Sequence, residues 1–106
     1  MVTRFDVYLV NLDAQVSKDA KNTRPCVVIS PDEMNRNISN VIIAPLSATT
    51  TNYPTRVPVH FLNSDRMIVL DQIRTVDKVR LVKKIGEIEK DRQKETLDRL
   101  QELFAD

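Results

Sequence analysis

Short, β-rich apolar runs follow one another through this chain with almost no helical spacing between them, and that succession decides most of what it can fold into. Phe5 to Val10, Arg24 to Ile29, Asn40 to Leu46, Thr55 to Phe61, Met67 to Leu70, Gln72 to Val76 and Leu81 to Ile88 each have strand composition. Strands this short and closely spaced predict a mainly β (α+β) domain: a small antiparallel barrel or curled sheet of about seven strands. Cys26-Val27-Val28-Ile29 is apolar on both faces and predicts a central strand. Pro54 and Pro58, beside and within the fourth run, predict an edge or bulged position. Residues 11 to 23 read as a long polar loop, 47 to 54 as a hydroxyl-rich loop and 62 to 66 as a turn.

Helix is expected twice. Ser30-Pro31-Asp32-Glu33 has the order of a helix start after the second strand, with Ser30 as cap, Pro31 first and Glu33 near the capping-box place; the piece ends near Asn37. From Glu89 to Phe104 the apolar residues Leu97, Leu100, Leu103 and Phe104 recur three and four apart, which predicts an amphipathic C-terminal helix laying one stripe on the sheet. Glu89 and Asp91 suit its N-terminal dipole, and Glu95 with Arg99 makes an i,i+4 pair.

With 106 residues the chain is read as one domain, residues 1–106. Its longest apolar stretches are far short of a membrane span, and Met1 to Val10 lacks the layout of a signal peptide, so a cytoplasmic location without membrane association is expected. One Cys and one His cannot build a structural zinc site, and the single glycine excludes a Gly-rich phosphate cradle; no metal or other cofactor is expected. Cys26 reads as a small buried hydrophobe, although Arg24 two positions away leaves an activated thiol open. The net charge of +1 is unevenly spread: residues 1–86 carry 12 Lys/Arg against 8 Asp/Glu, whereas residues 87–106 carry 4 against 7. A mildly basic body fits modest attraction for phosphate rather than strong non-specific nucleic-acid binding.

Three constellations carry possible chemistry. Thr23-Arg24-Pro25 sets an always-charged five-donor fork at a loop-to-strand junction, with the proline biasing Arg24 towards extended backbone. If the second and third strands are antiparallel neighbours, Arg24 comes to the end of the third strand, near Ser47, Thr49, Thr50 and Thr51. A guanidinium and a hydroxyl meeting there can hold a phosphodiester and stabilise pentacovalent charge; equally, Arg24 can pair with an acid while Ser47 closes a turn. His60 is a possible acid–base group or a solvated strand histidine with no partner evident in sequence. Gln72 and Arg74 share a strand face, where they can read a base or support Arg24, or Arg74 can join an ion-pair ladder with Asp71 and Asp77. Tyr53 is the one aromatic placed to stack on a base.

In order along the chain, Asp6-Val7-Tyr8-Leu9-Val10-Asn11-Leu12, Thr23-Arg24-Pro25-Cys26-Val27-Val28-Ile29-Ser30, Val41-Ile42-Ile43-Ala44-Pro45-Leu46-Ser47, Tyr53-Pro54-Thr55-Arg56-Val57 and Ile68 to Lys78 resemble the MazF/PemK family of toxin endoribonucleases. The resemblance implies a homodimer of SH3-like barrels that cuts single-stranded mRNA at short sequence motifs without metal, leaving 2′,3′-cyclic phosphate and 5′-hydroxyl ends. It also implies neutralisation by a cognate antitoxin whose acidic segment fills the RNA groove. On this reading Arg24 and Ser47 are catalytic, and Lys21, Thr23, Thr49, Tyr53, Arg56, Gln72 and Arg74 bind RNA, with Val16 to Asn22 as a mobile flap. The strand from Gln72 to Lys78 is the expected dimer surface. Two departures stand out: Ser47 replaces the usual Thr, and the usual Arg-Gly-Asp opening reads Arg4-Phe5-Asp6. The alternatives are a gyrase poison of the same fold, acting by protein binding through its C-terminal helix, and an inactive regulatory homologue.

Overall fold

The computed structural model describes residues 1–13 and 22–105, and Lys21 and most of the expected flap lie outside them. Among the described residues there are seven strands, β1 (Asp6–Asn11), β2 (Thr23–Val28), β3 (Asn40–Ser47), β4 (Arg56–Phe61), β5 (Ser64–Val69), β6 (Arg74–Asp77) and β7 (Leu81–Glu87), with the helix α1 (Asp32–Asn37) after β2 and α2 (Lys90–Phe104) after β7. The sheet runs β4-β5-β3-β2-β1-β7, with β6 pairing the first half of β3 while β5 pairs its end. All pairings are antiparallel. One strand thus serves three neighbours, and the sheet curls around it. β2 is central and β4 is an edge, as their composition predicts.

Alternation gives the sheet two apolar faces. Val7, Val27, Ala44, Leu46, Val57, Val59, Phe61 and Ile68 form the larger core, on which Leu97, Leu100 and Leu103 of α2 lay their stripe. Val10, Cys26, Val28, Val41, Ile43 and Val76 form a second, smaller core on the opposite face. That face carries the candidate site.

Four local expectations are corrected. The 62–66 turn is a two-residue hairpin: Phe61 pairs with Ser64, and Leu62 and Asn63 take φ of +50° and +61°. Two consecutive positive φ values are what a tight hairpin requires for its twist to match the strands, so β5 begins at Ser64 rather than Met67. Ser30 is not the helix cap. Pro31 holds that place without a side-chain cap, and the buried Ser30 Oγ instead donates to Asn35 Oδ1 (2.5 Å) and accepts from Ile42 N (3.1 Å), tying α1 to β3. Gln72 falls in a 3₁₀ turn (Leu70–Gln72), so the sixth strand starts at Arg74. Glu89 precedes α2, and its carboxylate accepts the His60 N–H of the β4 edge at 3.1 Å, closing an unpaired donor of the sheet.

Gly86 sits where β7 slips register against β1, at φ +156°, and a Cβ there would lie 2.8 and 2.9 Å from Cε1 and Cζ of Phe61. Phe61 is buried in the larger core, so moving its ring would disturb that packing. Gly86→Ala is therefore expected to cost about 2–3 kcal/mol through strain and overpacking, read as a lower urea midpoint with an unchanged slope.

Candidate functional site

β2 opposes β3 in the register Cys26↔Pro45, Val27↔Ala44, Val28↔Ile43. Continued by two residues, that register sets Arg24 beside Ser47, and alternation turns both side chains to the face of the smaller core. β6 adds Arg74 directly opposite Ile43. Arg24, Cys26, Ile43, Pro45, Gln72, Arg74 and Leu12 line one small cavity of about 110 Å³. Three polar side chains, Arg24 from β2 and Gln72 and Arg74 from one stretch about fifty residues further on, thus line it together over a floor of Cys26, Ile43 and Pro45.

Arg24 and Arg74 are exposed and make no side-chain hydrogen bond or ion pair among the described residues. The ion-pair ladder considered for Arg74 does not form: Asp71 accepts from Thr55 Oγ1 (2.9 Å) and pairs with Arg56 (3.4 Å), and Asp77 accepts from Val79 N. Burial works against the Asp71 carboxylate, but the hydrogen bonds from Thr55 and Arg56 outweigh it and hold Asp71 below the ordinary carboxylate range. Among the described residues, neither guanidinium at the cavity is paired with an acid.

Cys26 lies 1 % exposed beneath them. Burial pushes its thiol up to about 11, with the Arg24 and Arg74 charges opposing the rise. A native thiol that keeps its proton to higher pH than the unfolded one stabilises the fold below pH 9, a contribution lost as pH climbs towards 11. The activated-thiol reading is thus disfavoured. Native protein at pH 8 is expected to resist a maleimide and to take up one equivalent only after unfolding; rapid native labelling would contradict this.

Ser47 is half-buried at the end of β3, and its Oγ accepts the Thr49 N–H at 3.1 Å. It therefore closes the turn and still keeps its own hydroxyl proton for donation. Thr49 is exposed in the same loop. Thr23 pairs with Asn11, and alternation sets it on the face opposite Arg24. Tyr53 and Arg56 form a separate unit beside the loop, the Arg56 guanidinium 5.0 Å above the Tyr53 ring and Arg56 N donating to Tyr53 O. The structure therefore gathers Arg24, Gln72 and Arg74 in one cavity, puts Ser47 on the same face, and leaves Thr23, Tyr53 and Arg56 apart.

Helix α2 reaches this loop. Arg99 Nη1 donates to Pro54 O at 2.8 Å, and Glu95 holds both Arg99 (3.3 Å) and Arg92 (2.6 Å). Sequence reasoning found the Glu95–Arg99 pair but not its target, which lies 45 residues away. His60 also gains a partner that sequence missed: the tight hairpin sets it opposite Asp65, with Nδ1 3.1 Å from Asp65 Oδ1. Among the described residues, no group of three or more His, Cys, Asp or Glu gathers as a metal site, and no helix is long and apolar enough to cross a membrane.

Comparison with known proteins bears on this arrangement as a whole. Residues 3–104 match the family model described as PemK-like, MazF-like toxin of type II toxin–antitoxin system. An endoribonuclease from a Mycobacterial species, solved with its cognate antitoxin, superposes with a TM-score of 0.82 at 21% identity, covering 96% of this chain and 93% of that one. MazF from Deinococcus radiodurans gives 0.77 at 21% identity, over 96% and 94% of the two chains. The Mycobacterium tuberculosis toxin MazF-mt6 gives 0.77 at 20%, over 93% and 95%. At these identities the likeness to the solved structures is one of fold.

Proposed function

Because the chain belongs to the PemK-like, MazF-like toxin family of type II toxin–antitoxin systems, we propose that it is an endoribonuclease cutting single-stranded RNA at short motifs without a metal, held inactive by a cognate antitoxin. The observation that carries this reading is the convergence of Arg24, Gln72 and Arg74 on one cavity, with Ser47 on the same face of the sheet. In the cleavage step the substrate's 2′-oxygen attacks phosphorus as its proton leaves. The bond from phosphorus to the 5′-oxygen breaks, and that oxygen takes up a proton. A 2′,3′-cyclic phosphate and a 5′-hydroxyl remain. Arg24, planar and permanently charged, binds the non-bridging oxygens and offsets the charge that grows on them. A guanidinium carries no acceptor site, which suits it to that role rather than to accepting a proton. Ser47 supplies a hydroxyl donor to the same phosphate, and Gln72 and Arg74 hold a neighbouring nucleotide. A homodimer would join two such faces into one longer groove.

Incubation of the pure protein with end-labelled RNA in EDTA tests the proposal: discrete cuts with cyclic-phosphate ends are expected, and intact RNA with an antitoxin-free preparation would overturn it. Truncation of residues 96–106 does not separate nuclease from gyrase poison, since it strips Leu97, Leu100 and Leu103 from the core. Phe104, 71% exposed, serves better: Phe104→Ser should leave a nuclease active and weaken a toxin that binds its target through this helix.

A further inference from the structure

A second and much larger cleft, about 610 Å³, lies along the β4–β5 hairpin and the start of α2. Nothing in the catalytic reading uses it. The register ties it to the candidate site: Ser47 pairs with Met67, and Met67 with Pro58, so these three form one row across β3, β5 and β4 on a shared face. Met67 and Pro58 belong to the cleft lining, as do Thr50 and Asn52 of the loop that follows Ser47. His60 and Asp65 form the next cross-strand pair on that face, about 7 Å further along. The imidazole thus stands on the order of 10 Å from Ser47, two strand spacings across and two residues along. That separation suits a nucleotide flanking the scissile linkage, not the linkage itself.

The charge of the lining selects the occupant. Arg66 and Arg92 face Asp65, Glu89 and Asp91, a balance that repels phosphate. Arg92 is already bound to Glu95. An uncharged heterocycle with a flat apolar face and polar edges fits instead. His60 offers the platform: its side chain is 61% exposed, and the 3.1 Å contact of Nδ1 with Asp65 holds the ring. Pro58 and Met67 give an apolar floor, while the Arg66 Nε, buried with no hydrogen-bond partner among the described residues, is a donor lacking an acceptor.

We propose that this cleft is a nucleobase subsite for single-stranded RNA, in which a base flanking the cut stacks on His60. The proposal rests on the ribonuclease reading but is tested by binding. Anisotropy titrations would use a fluorescent, non-cleavable 2′-O-methyl RNA, with wild type, His60→Ala and His60→Phe. Stacking is worth about 1–3 kcal/mol per base, so His60→Ala should weaken binding roughly 5- to 150-fold. His60→Phe should restore it, because any aromatic face suffices. A shorter RNA lacking the flanking nucleotides should bind all three proteins alike. Equal binding of the long RNA by wild type and His60→Ala would overturn the subsite and leave the nuclease reading intact. Failure of His60→Phe to rescue would overturn stacking as the role. Retained, His60-dependent binding of RNA that the wild type never cuts would instead uphold the subsite and overturn the nuclease.

Discussion

Replacing Arg24 by alanine is expected to slow RNA cleavage by roughly two to three decades, about 3–4 kcal/mol of barrier, while thermal unfolding stays unchanged. The two halves of that expectation have separate origins. The guanidinium is exposed at the rim of the small cavity and engages no described side chain or carbonyl, so its removal takes nothing from the fold. On the mechanism proposed above, its loss deprives the pentacovalent phosphorane of a fixed counter-charge at the moment that charge is greatest. Arg24→Lys should recover only part of the rate, since an ammonium keeps the charge and lacks the planar fork. Because the Arg24 charge also opposes the upward push on Cys26, native Arg24→Ala protein should resist thiol reagents still more strongly than wild type. A fully active Arg24→Ala protein would remove this residue from the chemistry.

The second large effect concerns Phe5. It stands at φ +74°, in the left-handed region, within a tight turn where Asp6 N donates to Thr3 O and the Asp6 carboxylate accepts from Thr3 N. This is the position where the resemblance to the family calls for glycine. A phenylalanine there bears a backbone penalty of roughly 1–2 kcal/mol. Its ring, 5% exposed in the larger core, offsets that penalty. Phe5→Ala loses the ring and keeps the strained Cβ, and is expected to destabilise by about 3–5 kcal/mol. Phe5→Gly loses the ring but relieves the backbone, and should be the more stable of the two by on the order of 1 kcal/mol. That ranking reverses the usual penalty for glycine. Urea unfolding of the pair decides it; an alanine variant equal to or more stable than the glycine one would show that the turn carries no strain.

Period-2 runs, prolines at an edge and a leucine stripe were enough to determine from the sequence alone that this chain forms a curled antiparallel sheet with one covering helix. Each of those signals acts within a few residues, through side-chain direction and backbone freedom. The place of Arg24 near the start of β2 was legible for the same reason, since Pro25 beside it constrains its backbone locally. The tertiary structure decided what the local signals left open. Whether Asp71 would hold Arg74 or Arg56 depended on a 3₁₀ turn that no period announces. Ser30 chose Asn35 and Ile42 over the helix it precedes because burial demanded a partner for its hydroxyl. His60 acquired Asp65 only when two residues took positive φ and shortened the hairpin, and Arg99 found Pro54 only when α2 lay down on the core. Contacts between distant segments follow from packing and register, and a single sequence carries no local trace of them.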